Sequence, residues 1–146
     1  MKHIFKSWDL YDIQNKSLKS YQRYDGVCFV NMDDEGIHIS LNSETFQITI
    51  DPHSLLLQRV ELSLKTFFQG HADNLRNHPS DEDPPQYVID VLPGFSIEIC
   101  EWRHYYVIQF RYRTAEGFIM ETNIILNETN IPIFIEMFQT IADALE

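Results

Sequence analysis

The residues best equipped for chemistry lie in Cys100-Glu101-Trp102-Arg103-His104, where a thiol, a carboxylate and an imidazole are close neighbours. A cysteine nucleophile needs its histidine base within hydrogen-bond reach. This segment reads as the end of one strand and the start of the next, and alternation along strands sends Cys100 to the face opposite His104. The cluster is therefore read as turn decoration, and no residue is assigned as catalytic. His71 and His78, with Asp73 and Asp81, could hold a metal only from an ordered loop. Their spacing fixes no coordination geometry, so no metal site is assigned. Asp33-Asp34-Glu35-Gly36 lacks the alternating ligands of a calcium loop. Gly26, Gly36, Gly70, Gly94 and Gly117 stand alone, without the fingerprint of a phosphate loop or a dinucleotide site, and no cofactor is expected.

The elements that would position these groups follow from apolar periodicity. Gln86 to Leu126 holds four short alternating runs separated by Pro93-Gly94, Trp102-Arg103 and Ala115-Glu116-Gly117, which predicts a four-stranded antiparallel meander. The runs around Phe110 and Phe118 present matching apolar faces only if an odd-numbered loop joins them, because a slip of one residue turns every side chain over. A loop of Ala115, Glu116 and Gly117, with Gly117 at positive φ, satisfies that parity. It sets Arg111 opposite Glu121 and Gln109 opposite Asn123 on the outer face. Phe118, Met120, Thr122 and Ile124 fall on the inner one.

Upstream, Val27–Asn31, Ile37–Leu41 and Glu44–Ile50 predict a first, three-stranded meander. Asp51-Pro52 opens a helix by capping and by proline's fixed φ. It is expected to run to about Phe68 and stop at Gly70. Residues 71–85 then read as an acidic, proline-containing loop, and residues 1–26 as a helical or irregular N-terminal arm. After Asn130-Ile131-Pro132 comes a last helix, capped by Thr129 or Asn130. Its stripe of Phe134, Met137, Phe138, Ile141 and Leu145 packs on the sheet. The expected class is α+β, one domain over residues 1–146: two meanders of three and four strands, one intervening helix and a C-terminal helix.

The chain carries 22 acidic against 11 basic side chains, a formal charge of −11. Five of the basic groups and three of the acidic ones precede Val27, so the remainder is more acidic still. Such a body repels phosphate backbones and anionic membranes, which excludes nucleic acid and membrane as expected partners. Cys28 and Cys100 fall inside strands without ligand spacing, as free thiols suited to a reducing compartment. The N-terminal residues offer no signal-peptide core, and no run approaches the roughly 18 apolar residues of a membrane span, so a cytoplasmic location is expected.

These features favour a non-catalytic, acidic binding protein that neutralises or holds a basic protein, in the manner of toxin-specific immunity proteins. The contact candidates are the acidic turns Asp33, Asp34, Glu35 and Asp81, Glu82, Asp83, together with Trp102, Tyr105 and Arg111, since interface cores favour aromatic residues and arginine. Two rivals come from other classes. One is a homodimeric secretion-type chaperone. The other is a small enzyme or ligand-binding domain, which would need a polar pocket between sheet and helices.

Overall fold

A computed structural model describes residues 3–10, 26–33, 36–41, 46–50, 58–77, 87–92, 95–102, 105–114, 116–128 and 130–145. Eight strands and two helices occur in the order β1 (Ile4–Leu10), β2 (Gly26–Asp33), β3 (Gly36–Leu41), β4 (Phe46–Ile50), α1 (Gln58–Asn77), β5 (Tyr87–Leu92), β6 (Phe95–Trp102), β7 (Tyr105–Arg113), β8 (Ile119–Ile125) and α2 (Ile131–Ala144). The strands form two antiparallel meanders, β1-β2-β3-β4 and β5-β6-β7-β8. The expected α+β class holds, with the C-terminal helix packed into the core.

The first meander has four strands rather than three. Ile4–Leu10 is a strand paired with β2, not part of a helical or irregular arm. Lys6 interrupts its apolar alternation and disguises it. In the fold this side chain reaches across to α2, where Nζ lies 2.5 Å from Glu136 Oε1, and it also lies over the Trp8 ring. The second correction concerns α1, which runs through Gly70 to Asn77. A mid-helix glycine costs only about 1 kcal/mol relative to alanine. The turns beyond it bury His71, Ala72 and Leu75, so burial outweighs that cost and residues 71–77 are helix rather than loop.

In the second meander the register is the one that turn parity requires. Arg111 pairs with Glu121 and Gln109 with Asn123. Thr114 N donates to Phe118 O at 2.8 Å, closing the loop 115–117 with Gly117 at φ 91°. Alternation fails at two places. The β5–β6 register shifts between Asp90 and Leu92, and Phe118, expected inward, is 71% exposed beyond the end of the core. The stripe of α2 is buried throughout at Phe134, Met137, Phe138, Ile141 and Leu145. Removing those five side chains from water contributes about 7–15 kcal/mol gross, before chain entropy is charged against it.

The two halves of the chain share one element order, ββββα. Residues 67–75, FFQGHADNL, match residues 137–145, MFQTIADAL, at five of nine positions: Phe68/Phe138, Gln69/Gln139, Ala72/Ala142, Asp73/Asp143 and Leu75/Leu145. The central hairpins share a register, though not their residues. Val30 pairs with Ile39 and Asp33 with Gly36 in one; Ile99 pairs with Ile108 and Trp102 with Tyr105 in the other, each number raised by 69. Contacts obey the same exchange. Helix α1 packs on α2 and β4 meets β8, while each helix touches the first strand of the opposite half, α1 on β5 and α2 on β1. At the centre Gln69 Nε2 donates to Gln139 Oε1 at 2.9 Å, and Gln139 Nε2 returns a bond to Gln69 Oε1 at 2.8 Å.

Candidate partner interface

The hairpin β2–β3 carries the first acidic turn. Gly36 N donates to Asp33 Oδ1 at 3.2 Å, and His38 Nε2 lies 3.6 Å from the same oxygen. Asp33 is therefore tied into its own hairpin, the usual use of an aspartate at such a turn. Asp34 and Glu35 lie outside the described residues, as do Asp81, Glu82 and Asp83. His78, His53 and the helix start at Asp51-Pro52 are also outside them.

The outer face of β6–β7–β8 is a polar ladder. Its rows run Ser96–Arg111–Glu121, Glu98–Gln109–Asn123 and Cys100–Val107–Ile125 across the three strands. Arg111, exposed, holds Glu121 through Nε to Oε2 at 3.2 Å. Gln109 Nε2 donates to Glu121 Oε1 at 3.0 Å and to Asn123 Oδ1 at 2.9 Å. The guanidinium that sequence reading offered to a partner thus has a cross-strand carboxylate already. Val107 and Ile125 are buried although they sit on this outer face. Trp102 and Tyr105 pair across the two-residue connection at the end of the β6–β7 hairpin, away from Arg111 at its far side. Among the described candidates, Trp102 and Tyr105 therefore stand at one end of this hairpin and Arg111 toward the other.

Cys100 is half-buried, and burial first, then the carboxylates of Glu98 and Glu121, push its thiol above the ordinary range. A thiol held protonated is a poor nucleophile. His71 is not a loop ligand but a fully buried residue of α1, its ring edge-on to Phe67 at 4.8 Å and tilted against Phe138 at 5.5 Å. Burial depresses its pKa from 6.5 to about 4. Among the described residues no three metal-ligating side chains cluster. No described helix is long and apolar enough to cross a membrane.

Two features escaped the sequence reading. Large apolar side chains are exposed at Phe5, 74% exposed and edge-on to Phe29 at 4.5 Å, and at the pair Phe118 and Ile119. Of the three, Phe118 was expected to face inward. Glu136 on α2 has its carboxyl held below the usual range, chiefly by the hydrogen bond from Lys6. That contact spans the two halves of the sequence, and no local pattern announces it. Comparison with known protein families gives no match to this chain, and comparison with curated proteins gives none either.

Proposed function

We propose that this protein is a non-catalytic, cytoplasmic binding protein that neutralises or holds a basic protein partner, in the manner of a toxin-specific immunity protein. The observation that carries this reading is the charge of −11, concentrated after the N-terminal segment. A field of that sign steers a basic surface toward the chain and raises its association rate. Candidate contacts are the acidic turns at Asp33, Asp34, Glu35 and at Asp81, Glu82, Asp83, with Trp102, Tyr105 and Arg111 supplying aromatic and planar groups. The test is affinity capture from the native cell, followed by stopped-flow association of the purified pair at increasing salt. A basic partner whose association slows about tenfold or more between low and physiological salt supports the reading. A partner that is acidic, or that associates at a salt-independent rate, removes it.

A second reading has its own observation. Exposed Phe5 and Phe118 are suited to gripping apolar segments, as a homodimeric secretion-type chaperone does. Light scattering separates the two: a stable dimer favours the chaperone, and a monomer counts against it.

A further inference from the structure

The outer faces of the two sheets differ in charge. On β6–β7–β8 the rows Ser96–Arg111–Glu121 and Glu98–Gln109–Asn123 carry two carboxylates and a guanidinium. On the first sheet one row runs in register Phe5–Asn31–His38–Thr49 from β1 to β4, and the next runs Ser7–Phe29–Ser40–Gln47. Val30, Ile37 and Ile39, which alternate with them, are buried in the core, so these rows face outward. Neither row holds an Asp, Glu, Lys or Arg, in a chain with 22 acidic side chains. Phe5, 74% exposed, meets half-buried Phe29 edge-on at 4.5 Å across them. Charge returns at the margins, with Asp33 on the turn side and Asp9, in register with Val27, on the other. We propose that two copies of this chain associate sheet on sheet through this face, with Phe5 and Phe29 at the centre of the contact.

The chemistry of the face selects the occupant. A basic surface finds no carboxylate in either row, and a cation set down there would lose water without gaining a counter-ion. The side chains of Ser7, Asn31 and Ser40 both donate and accept hydrogen bonds, so the face can complement itself, as a two-fold contact requires. Two bodies of charge −11 repel wherever their acidic surfaces meet, and that repulsion is smallest where carboxylates are absent. An aromatic centre within a polar and then charged rim is also the ordinary anatomy of an interface. Two rows across four strands make a small contact, so association is weak and concentration-dependent. The proposal rests on the second, homodimeric reading of function and deepens it by naming the dimer face.

Full-length protein is followed by sedimentation equilibrium at rising concentration, in low and in high salt. The mass is expected to climb from monomer toward twice that value. It should climb further in high salt, because salt screens the repulsion between the two acidic bodies. Phe5→Glu sets a charge at the centre of the face, and Ser7→Glu sets one in the next row. Both side chains are exposed, so both variants are expected to fold and to stay monomeric under the same conditions. Phe118→Glu, on the other sheet, should dimerise as wild type does, and an equal loss there would overturn the proposal by showing a general effect of added charge. A dimer that neither Phe5→Glu nor Ser7→Glu weakens, or that salt dissociates, would place the contact elsewhere and leave the homodimeric reading standing. A wild type that is monomeric at every concentration and salt would remove both.

Discussion

Asn130 is the most informative single position for stability, because three bonds at the β8–α2 junction meet there in a buried setting. Its Nδ2 donates to Ile125 O at 2.5 Å, its Oδ1 accepts from Asn127 N at 2.8 Å, and its own N donates to Asn127 Oδ1 at 2.9 Å. Although Asn130 occupies the N-cap of α2, its side chain makes no cap bond to the helix. It turns back and locks the connection that aims the whole apolar stripe of α2 at the sheets. Asn130→Ala would leave the Ile125 carbonyl and the Asn127 amide buried with one partner fewer each. At about 1–2 kcal/mol for each such group, the loss should be about 2–4 kcal/mol. Asn130→Asp keeps the acceptor but sets a carboxylate oxygen against the Ile125 carbonyl. It should be as damaging at neutral pH and milder in acid, where the protonated carboxyl can donate again. Urea denaturation at fixed m-value measures both. An Ala variant within about 0.5 kcal/mol of wild type would refute the claim that this junction is held by the side chain rather than by burial of α2 alone.

Three other expectations follow from contacts at the surface and between α1 and α2. In a double-mutant cycle, Arg111→Ala and Glu121→Ala should couple by no more than about 1 kcal/mol, because both groups are exposed; the coupling should fade in high salt, and a salt-insensitive value would contradict the reasoning. Gln69→Ala and Gln139→Ala should couple by about 0.5–1.5 kcal/mol through their reciprocal amide bonds, and strictly additive losses would deny the pairing its role. Cutting the chain after Glu128 removes α2 and should abolish cooperative thermal unfolding, whereas a sharp transition in the truncated protein would show that the sheets hold without it.

The parts of this fold legible in the sequence were those where one physical rule acts without competition. The apolar stripe of α2 has no polar interruption, and turn parity alone fixes Arg111 against Glu121. Failures occurred where a long-range contact overrode the local pattern. Lys6 reads as a residue that spoils a strand because its anion, Glu136, lies 130 positions away. His71, Asp73 and Asn74 read as a solvated loop because nothing local shows that Phe138 will cover the histidine. The shared element order of the two halves was hidden for a related reason. Residue identity survives in the helices that meet each other, while the strands keep only the alternation that any sheet needs. Of the proposed contact residues, sequence placed Arg111 correctly on the outer face, but its engagement by Glu121 depends on side-chain geometry.

A shared element order also separates what the fold requires from what it merely permits, since folding constrains both halves alike. The hairpin turns show this. Met32 of the first half is buried one residue before its turn, whereas the equivalent Glu101 is exposed. At the end of β2, Asp33 accepts a hydrogen bond from Gly36 N and lies beside His38. In the β6–β7 hairpin, whose register is equivalent, Glu101 is exposed at the same point. If the chain holds a basic partner as proposed, the end of the β6–β7 hairpin, with Glu101, Trp102 and Tyr105, is the better placed of the two to meet it. Charge reversal at Glu101 should then slow association more than charge reversal at Asp33, and rates measured by stopped flow in the opposite order would assign the contact to the first half instead.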